Sequence, residues 1–343
     1  MPVHRSLLPG LGVVVTAAAA SLLVAANVPA VSALIVAILL GVVVRNAGLL
    51  RPDLVRGVAW SGKKMLRAGV VLLGLQLSVP AVLELGAGGL VVIVVTVAVT
   101  FAATLLIGRL LRVPRVMTLL VATGFAICGA AAVAAMSAVA DPDGEHEDDT
   151  AAAIALVTLF GSLALVALPL LVPALGFGER AAGLWIGASV HEVAQVLAAG
   201  EAVSAVALTT ATLTKLGRVV LLAPLVAGAG VVLRARVPVA GEGPAVAGER
   251  PAVAGVQRPP LLPLFVAGFL VAVLVRSSGL LPGGALDVAQ VLTTALLTGA
   301  MFGLGTGVHL SALIRTGGRA AALGAASTLV AVAVSGGLVA LVG

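Results

Sequence analysis

Apolar runs of eighteen or more residues follow one another along this chain, and most are nearly empty of charge. A run of that length crosses the hydrocarbon of a bilayer as a helix. In lipid a spanning segment must satisfy every backbone N–H and C=O internally, which leaves only helices and closed β-barrels. Barrel strands alternate apolar and polar residues over short segments, and nothing here alternates. The fold class that follows is an all-α polytopic membrane protein. Composition agrees: 61% of the residues are hydrophobic and 10% charged, where soluble domains carry about 25% charged residues.

A net charge of +6 and a pI near 10.9 would suit a nucleic-acid partner. The basic residues, however, sit in short loops between apolar runs, where membrane topology puts them, so the partner they imply is the lipid bilayer. The one cysteine, Cys128, excludes an internal disulfide and a multi-cysteine metal site. The run after Arg5 lacks a convincing cleavage site and reads as a retained N-terminal helix, 1–28.

Eleven spans are predicted, at about 10–27, 29–45, 65–79, 86–108, 116–140, 150–173, 181–199, 203–233, 261–278, 287–310 and 319–342. With the N-terminus inside and the C-terminus outside, 17 of the 20 Lys and Arg fall on the inner side, as the positive-inside rule requires. Only Arg276 stands outside; Lys215 and Arg218 lie within a span. The acidic DPDGEHEDD at 141–149 is then an outer loop and Arg180 an inner residue. Segment 49–64 reads as a short amphipathic piece on the inner surface. The Pro/Gly/Ala-rich stretch 234–260, with GPAVAGE echoed by RPAVAGV, reads as a flexible cytoplasmic linker.

Two distant stretches resemble each other. VVVRNAGLL (42–50) matches VLVRSSGLL (273–281), and GLQLS (74–78) matches GVHLS (307–311). Arg45 thus pairs with Arg276, and Gln76 with His309. The copies start seven spans apart, so they face opposite ways. That is the inverted structural repeat, with discontinuous core helices, typical of carriers that alternate access. Units 29–108 and 261–342 would be scaffolds around a central core, 116–233. Arg45 and Arg276, at span ends, suit interfacial anchors.

The chemistry concentrates between Trp185 and Arg218. Charges at membrane depth are costly and mark function. Lys215 lies midway along its span, beyond easy snorkelling, beside a stripe of Thr210, Thr214 and Arg218 at i, i+4, i+8. His191 and Gln195 share a helical face, with Glu192 next to His191. HEVAQ resembles the HExxH zinc motif but lacks its second histidine. His191 and Glu192 suit proton coupling; alternatively Glu192 simply neutralises Lys215 or Arg218. The two cations against one acid leave a positive surplus, which favours an anionic guest. In TGFAICGAAAVAAMSAVA (123–140), Gly124 and Gly129 bracket Cys128. Either small residues pack helices closely there, or the helix breaks and offers backbone N–H groups to an anion. GLGTGVH (303–309) is a second such interruption and no dinucleotide fingerprint.

ATGFAICGAAAVAA (122–135), TLFGSLALVALPLL (158–171), GASVHEVAQVLAAG (187–200) and TKLGRVVLLAPLV (214–226) resemble, in order, blocks of the YeiH-type sulfate exporter family of bacterial inner-membrane proteins. The resemblance spans nearly the whole chain. It implies about ten or eleven helices, a grouping with the bile-acid:sodium symporter superfamily, and a sulfur-related anion such as sulfate or sulfite as solute. Cys128, Gly129, His191, Glu192, Gln195, Lys215 and Arg218 fall within the matching blocks.

The function expected is a secondary transporter, an exporter of a small anion, with no enzymatic activity and no metal or cofactor. Lys215, Arg218, Thr210, Thr214, Ser189, Cys128 and Gly129 would bind the anion; His191, Glu192 and Gln195 would couple it to protons. A passive anion channel, or a carrier of an organic anion, would use similar residues. A homodimer is compatible with this reading. A phosphate-loop ATPase is not, since no GxxxxGK[ST] occurs.

Overall fold

The computed structural model describes residues 7–28, 33–235, 263–307 and 318–342, and every regular element in them is helical. In order these are α1 (Leu8–Asn27), α2 (Ala33–Asn46), α3 (Pro52–Leu73), a 3-10 turn at Gly74–Gln76 and α4 (Val79–Leu83). Then come α5 (Gly86–Leu110), α6 (Arg115–Ala126), α7 (Ala130–Ala140), α8 (Glu147–Leu175), α9 (Glu179–Ser189) and α10 (Val193–Glu201). Last are α11 (Ala205–Val220), α12 (Leu222–Ala235), α13 (Leu264–Ser277), α14 (Gly283–Gly305) and α15 (Gly318–Val342). Among the described residues six stretches are long and apolar enough to cross a membrane: α1, α5, α8, α14, α15 and the continuous run Ala205–Leu233 through α11 and α12. The expected linker and the GVHLS echo after Gly307, His309 included, lie outside the described residues, apart from the linker's first two positions, which end α12.

Residues 116–140 and 181–199 do not run straight. In the first, α6 ends where Ile127 leaves the helical region, and Gly129 turns the chain at φ 75. The N–H of Gly129 reaches back to the Gly124 carbonyl at 2.9 Å. From there α7 folds back along α6. A Cβ on Gly124 would meet Val133 at 2.6 Å. The far end of α7 returns to where α6 began: Ser137 bonds Thr150 at 3.1 Å, and Asp149 shares a cleft with Arg112, Met117 and Arg319.

The second stretch turns through extended backbone at Val190 and Glu192. Gly183 at the start of α9 and Gly200 at the end of α10 both rest on Ala207 of α11. Each segment is thus a helical hairpin that enters and leaves on one side. Their tips meet.

Two side assignments change in consequence. The 141–149 loop shares the side of Arg112 and Arg319, which had been expected opposite it. Arg180, expected inside with those arginines, instead donates to the Glu84 and Leu85 carbonyls at the other end of α5. Segment 49–64 is also no separate surface piece. It is the first half of α3, whose buried stripe Gly57, Val58, Ser61, Gly62, Leu66, Gly69 and Val70 continues unbroken to Leu73. Arg56, Lys63, Lys64 and Arg67 occupy the opposite, exposed face.

Glycine decides how closely the outer helices approach. Gly62 of α3 and Gly303 of α14 touch backbone to backbone, and a Cβ on either would meet the other's Cα at 3.0 Å or less. Small residues at such crossings are how membrane helices bury area, since lipid provides no hydrophobic drive between them. The long helices α5 and α15 lie antiparallel, Gly88 against Val342 and Thr104 bonded to Ser327 at 2.9 Å. They pack on the hairpins: Trp185 of α9 donates to the Val332 carbonyl of α15 at 3.0 Å.

Candidate functional site

A helix that stops inside a protein leaves its last carbonyls and first N–H groups without partners. The two hairpin tips create four such ends in one place. The carbonyl ends belong to α6 and α9, and two cations from α11 cover both. The Arg218 guanidinium donates to Phe125 (3.0 Å) and Ala126 (2.6 and 3.1 Å) on α6, and to Gly187 (3.2 Å) and Ala188 (2.6 Å) on α9. Lys215 bridges the tips, with Nζ 2.8 Å from both the Ile127 and Val190 carbonyls. Both side chains are fully buried. Cations belong at helix C-termini, where the carbonyl dipoles leave partial negative charge.

The N–H ends belong to α7 and α10, and Glu192 stands at both. It is the N-cap of α10 in a reciprocal capping box with Gln195, the arrangement in which two orphan donors are satisfied at once. Its carboxylate also faces the backbone N–H of Ala130, the first residue of α7, and accepts from the Thr158 hydroxyl at 3.1 Å. Gln195 donates to the Thr158 carbonyl and the Ser162 hydroxyl of α8, each at 3.1 Å. Counted in their ordinary ionic forms, the helix ends cancel pairwise and the side chains leave one positive charge over.

His191 lies in the turn itself, its ring 4.6 Å from that of Phe125. Nδ1 is 3.3 Å from the Phe125 carbonyl and Nε2 2.9 Å from the Thr328 hydroxyl of α15. A zinc motif needs its histidines on one helix; this histidine is in the break between two. Ser189 donates to the Trp185 carbonyl at 2.6 Å and pairs with Ser335 at 2.8 Å. Cys128 is buried in the other turn, beside Gly129.

Of the ten residues singled out in the sequence, Cys128, Gly129, His191, Glu192, Lys215 and Arg218 converge at the crossing, with Ser189 and Gln195 beside it. Thr210 and Thr214 stand apart in what they do. Each hydroxyl donates to the carbonyl one turn back, and their β-carbons fill the notches left by Gly183 and Gly187 on α9. The Lys215 and Arg218 donors likewise point at carbonyls.

Thr158, Gly161 and Ser162 on α8 and Thr328 and Ser335 on α15 were not singled out. Thr158 and Ser162, one turn apart around a glycine, were a readable polar stripe in an apolar run. Nothing in α15 distinguished Thr328.

The sequence profile of the family described as Conserved hypothetical protein 698 matches residues 8–324. A UPF0324 membrane protein of Corynebacterium glutamicum is 42% identical over 287 residues, 84% of this chain and 79% of its own. One of Brucella suis is 34% identical over 345 residues, 99% of this chain and 98% of its own. The UPF0324 inner membrane protein YeiH of Salmonella typhimurium is 33% identical over 295 residues, 84% and 79% respectively. No solved structure matches. With relatives named for the inner membrane and six helices of spanning length, this is a multi-pass inner-membrane protein. The chain belongs to the UPF0324 family of membrane proteins, the family of YeiH.

Proposed function

We propose that the chain is a secondary transporter of a small anion that alternates access around the crossing of the two hairpin tips. One observation carries the reading: buried Lys215, Arg218, Glu192 and His191 gather where four helix ends meet. Discontinuous helices that aim their ends at one midplane point are the architecture of carrier binding sites.

Paired helices support an inverted repeat. Helices α2 and α13 end at Asn46 and Ser277, which stand at the 231-residue offset of the first sequence echo. Gly48 and Gly279 turn at φ 69 and 72 at that same offset. Helices α5 and α15 run antiparallel, Gly88 against Val342 and Thr104 against Ser327. Gly74 rests on the Phe269 carbonyl and Ala272, while Gly305 rests on the Ile38 carbonyl and Gly41, the same contact with partners exchanged.

On this reading nine segments cross the bilayer, and the hairpins α6–α7 and α9–α10 enter from opposite faces, with the N-terminus inside and the C-terminus outside. Moving Arg180 outward leaves sixteen of the twenty Lys and Arg inside, so the positive-inside rule still holds. Helices α1–α3, α13 and α14 form the scaffold. The hairpins, α8 and α11–α12, joined by α5 and α15, which the sequence assigns to the two scaffold units, form the moving unit.

The anion is drawn by the surplus positive charge of the crossing, and Lys215 and Arg218 supply that field while holding the tips. His191 and Glu192 couple the movement to protons. By the family resemblance the solute is a sulfur oxyanion such as sulfate or sulfite, and the direction is export. Counterflow of radiolabelled sulfate, sulfite and organic sulfonates in proteoliposomes, with and without a pH gradient, tests this. Saturable exchange driven uphill supports a carrier; flux that never exceeds the gradient identifies a passive channel.

A further inference from the structure

The donors around Glu192 are those of an anion-binding site, and the chain fills that site itself. Two helices of eleven and nine residues start there. Each start offers a backbone N–H to the same carboxylate, Ala130 from α7 and Gln195 from α10, and the Thr158 hydroxyl adds a third donor. Gly129 leaves the room: a Cβ there would lie 2.5 Å from Glu192 Cγ. The acid is 6% exposed. Among the described residues no Lys or Arg nitrogen comes within 4.0 Å of it, because both nearby cations are turned to carbonyls. A buried carboxylate with no ion pair at contact distance, held by helix starts and a hydroxyl, occupies the place an oxyanion would take.

We infer that the Glu192 carboxylate is a tethered stand-in for the transported anion, which binds only when Glu192 takes up a proton and leaves these donors. This rests on the anion-carrier reading above and deepens it. For a singly charged guest the exchange keeps the charge of the crossing constant, since the proton cancels one negative charge and the guest restores it, and so avoids burying a further unbalanced ion. One proton then accompanies each anion. The other ionisable groups around Glu192 are Lys215 from α11, with Arg218 beyond it, His191 next to it in its own turn and Cys128 from the α6–α7 turn; from α8 the facing side chains are Thr158 and, beyond Gln195, Ser162.

The test uses the full chain in detergent, melted with chloride, nitrate, sulfate or methanesulfonate at acid and at alkaline pH. The inference expects at least one anion to raise the melting temperature of the wild type more at acid pH. In Glu192→Gln, which keeps the shape and loses the charge, that anion should stabilise equally at both. Wild-type stabilisation independent of pH overturns it, as does a Glu192→Gln protein that keeps the wild-type pH dependence or binds no anion. Should that variant not fold, Glu192→Asp serves: its shorter reach competes less well, so the anion binds several-fold tighter at alkaline pH, and unchanged binding overturns the idea. Proteoliposome flux separates the two claims. Anion flux with the same proton coupling in wild type and Glu192→Gln removes the stand-in and leaves the carrier, while no flux and no stabilisation by any anion removes both.

Discussion

Arg218→Met is the substitution whose outcome the geometry fixes most firmly. Methionine fills much of the volume and carries none of the donors. It strands the Ala126, Gly187 and Ala188 carbonyls, for which Arg218 is the side-chain partner, and weakens the hold on Phe125. A buried polar group left without its partner costs roughly 1–3 kcal/mol, so three cost about 3–9 kcal/mol. Typical total stabilities are about 5–15 kcal/mol. At roughly 2 °C per kcal/mol for a larger domain, the smaller figure already lowers the melting temperature by about 6 °C. The assay is thermal unfolding of the detergent-solubilised protein without any anion, read beside its size-exclusion profile. Were Arg218 a ligand whose only task is to meet substrate, removing it would relieve an isolated buried charge, and the empty protein would be as stable or more so. A monodisperse Arg218→Met protein melting within about 2 °C of wild type therefore refutes the capping argument.

Three more outcomes follow from the packing. Ala151 on α8 and Gly307 after α14 would bring their β-carbons within 3.6 Å, inside the range for a disulfide; Ala151→Cys with Gly307→Cys should oxidise readily, and failure to cross-link would restore 116–140 as a single crossing with these residues on opposite faces. Gly187→Ala drives a methyl to 2.5 Å from the Ala211 carbonyl, which cannot yield without parting α9 from α11, and should cost about 1–3 kcal/mol. Gly178→Ala, with open space around it, should leave the melting temperature unchanged, and equal effects would dismiss the close approach. Lys63→Ala breaks a 2.6 Å pair with Glu147 whose side chains are 55% and 66% exposed; such pairs contribute ~1 kcal/mol or less, so a melting shift beyond a few degrees would point to a buried role.

The apolar runs and the cluster of buried charge were legible in the sequence; the hairpins were not. A 25-residue apolar stretch with small residues at its centre reads the same whether it crosses or turns back. The difference rests on Gly129 at positive φ and on extended backbone at Val190 and Glu192. The charge rule could not expose the error. Moving the 141–149 loop across the membrane shifts acidic residues, which that rule hardly weighs, and of the basic residues only Arg180 changes sides. Lys215 and Arg218 were visible as cations at membrane depth, but their partners were not. Those partners are backbone carbonyls some 30 and 90 positions away, and any residue would supply them. Thr210 and Thr214 read as a polar stripe because spacing does not reveal that a threonine can spend its hydroxyl on its own helix and its β-carbon in a glycine notch.

Capping also constrains how such a protein could move. Because Lys215 and Arg218 each hold carbonyls from both tips, helix α11 ties the two hairpins into one body. Parting the tips to admit a solute would strand several carbonyls at once, at about 1–3 kcal/mol each. Access is cheaper to alternate by moving the body intact against α3 and α14. The contacts crossing that boundary include the exposed Lys63–Glu147 pair and the touch of Ala151 on Gly307. Two cross-links then give opposite results. Thr104→Cys with Ser327→Cys, joining α5 to α15 where their hydroxyls now stand 2.9 Å apart, should leave transport intact, because both helices travel together. The Ala151–Gly307 disulfide should stop transport until it is reduced. If the first arrests transport and the second does not, the hairpins part after all, and Lys215 and Arg218 release their carbonyls during the cycle.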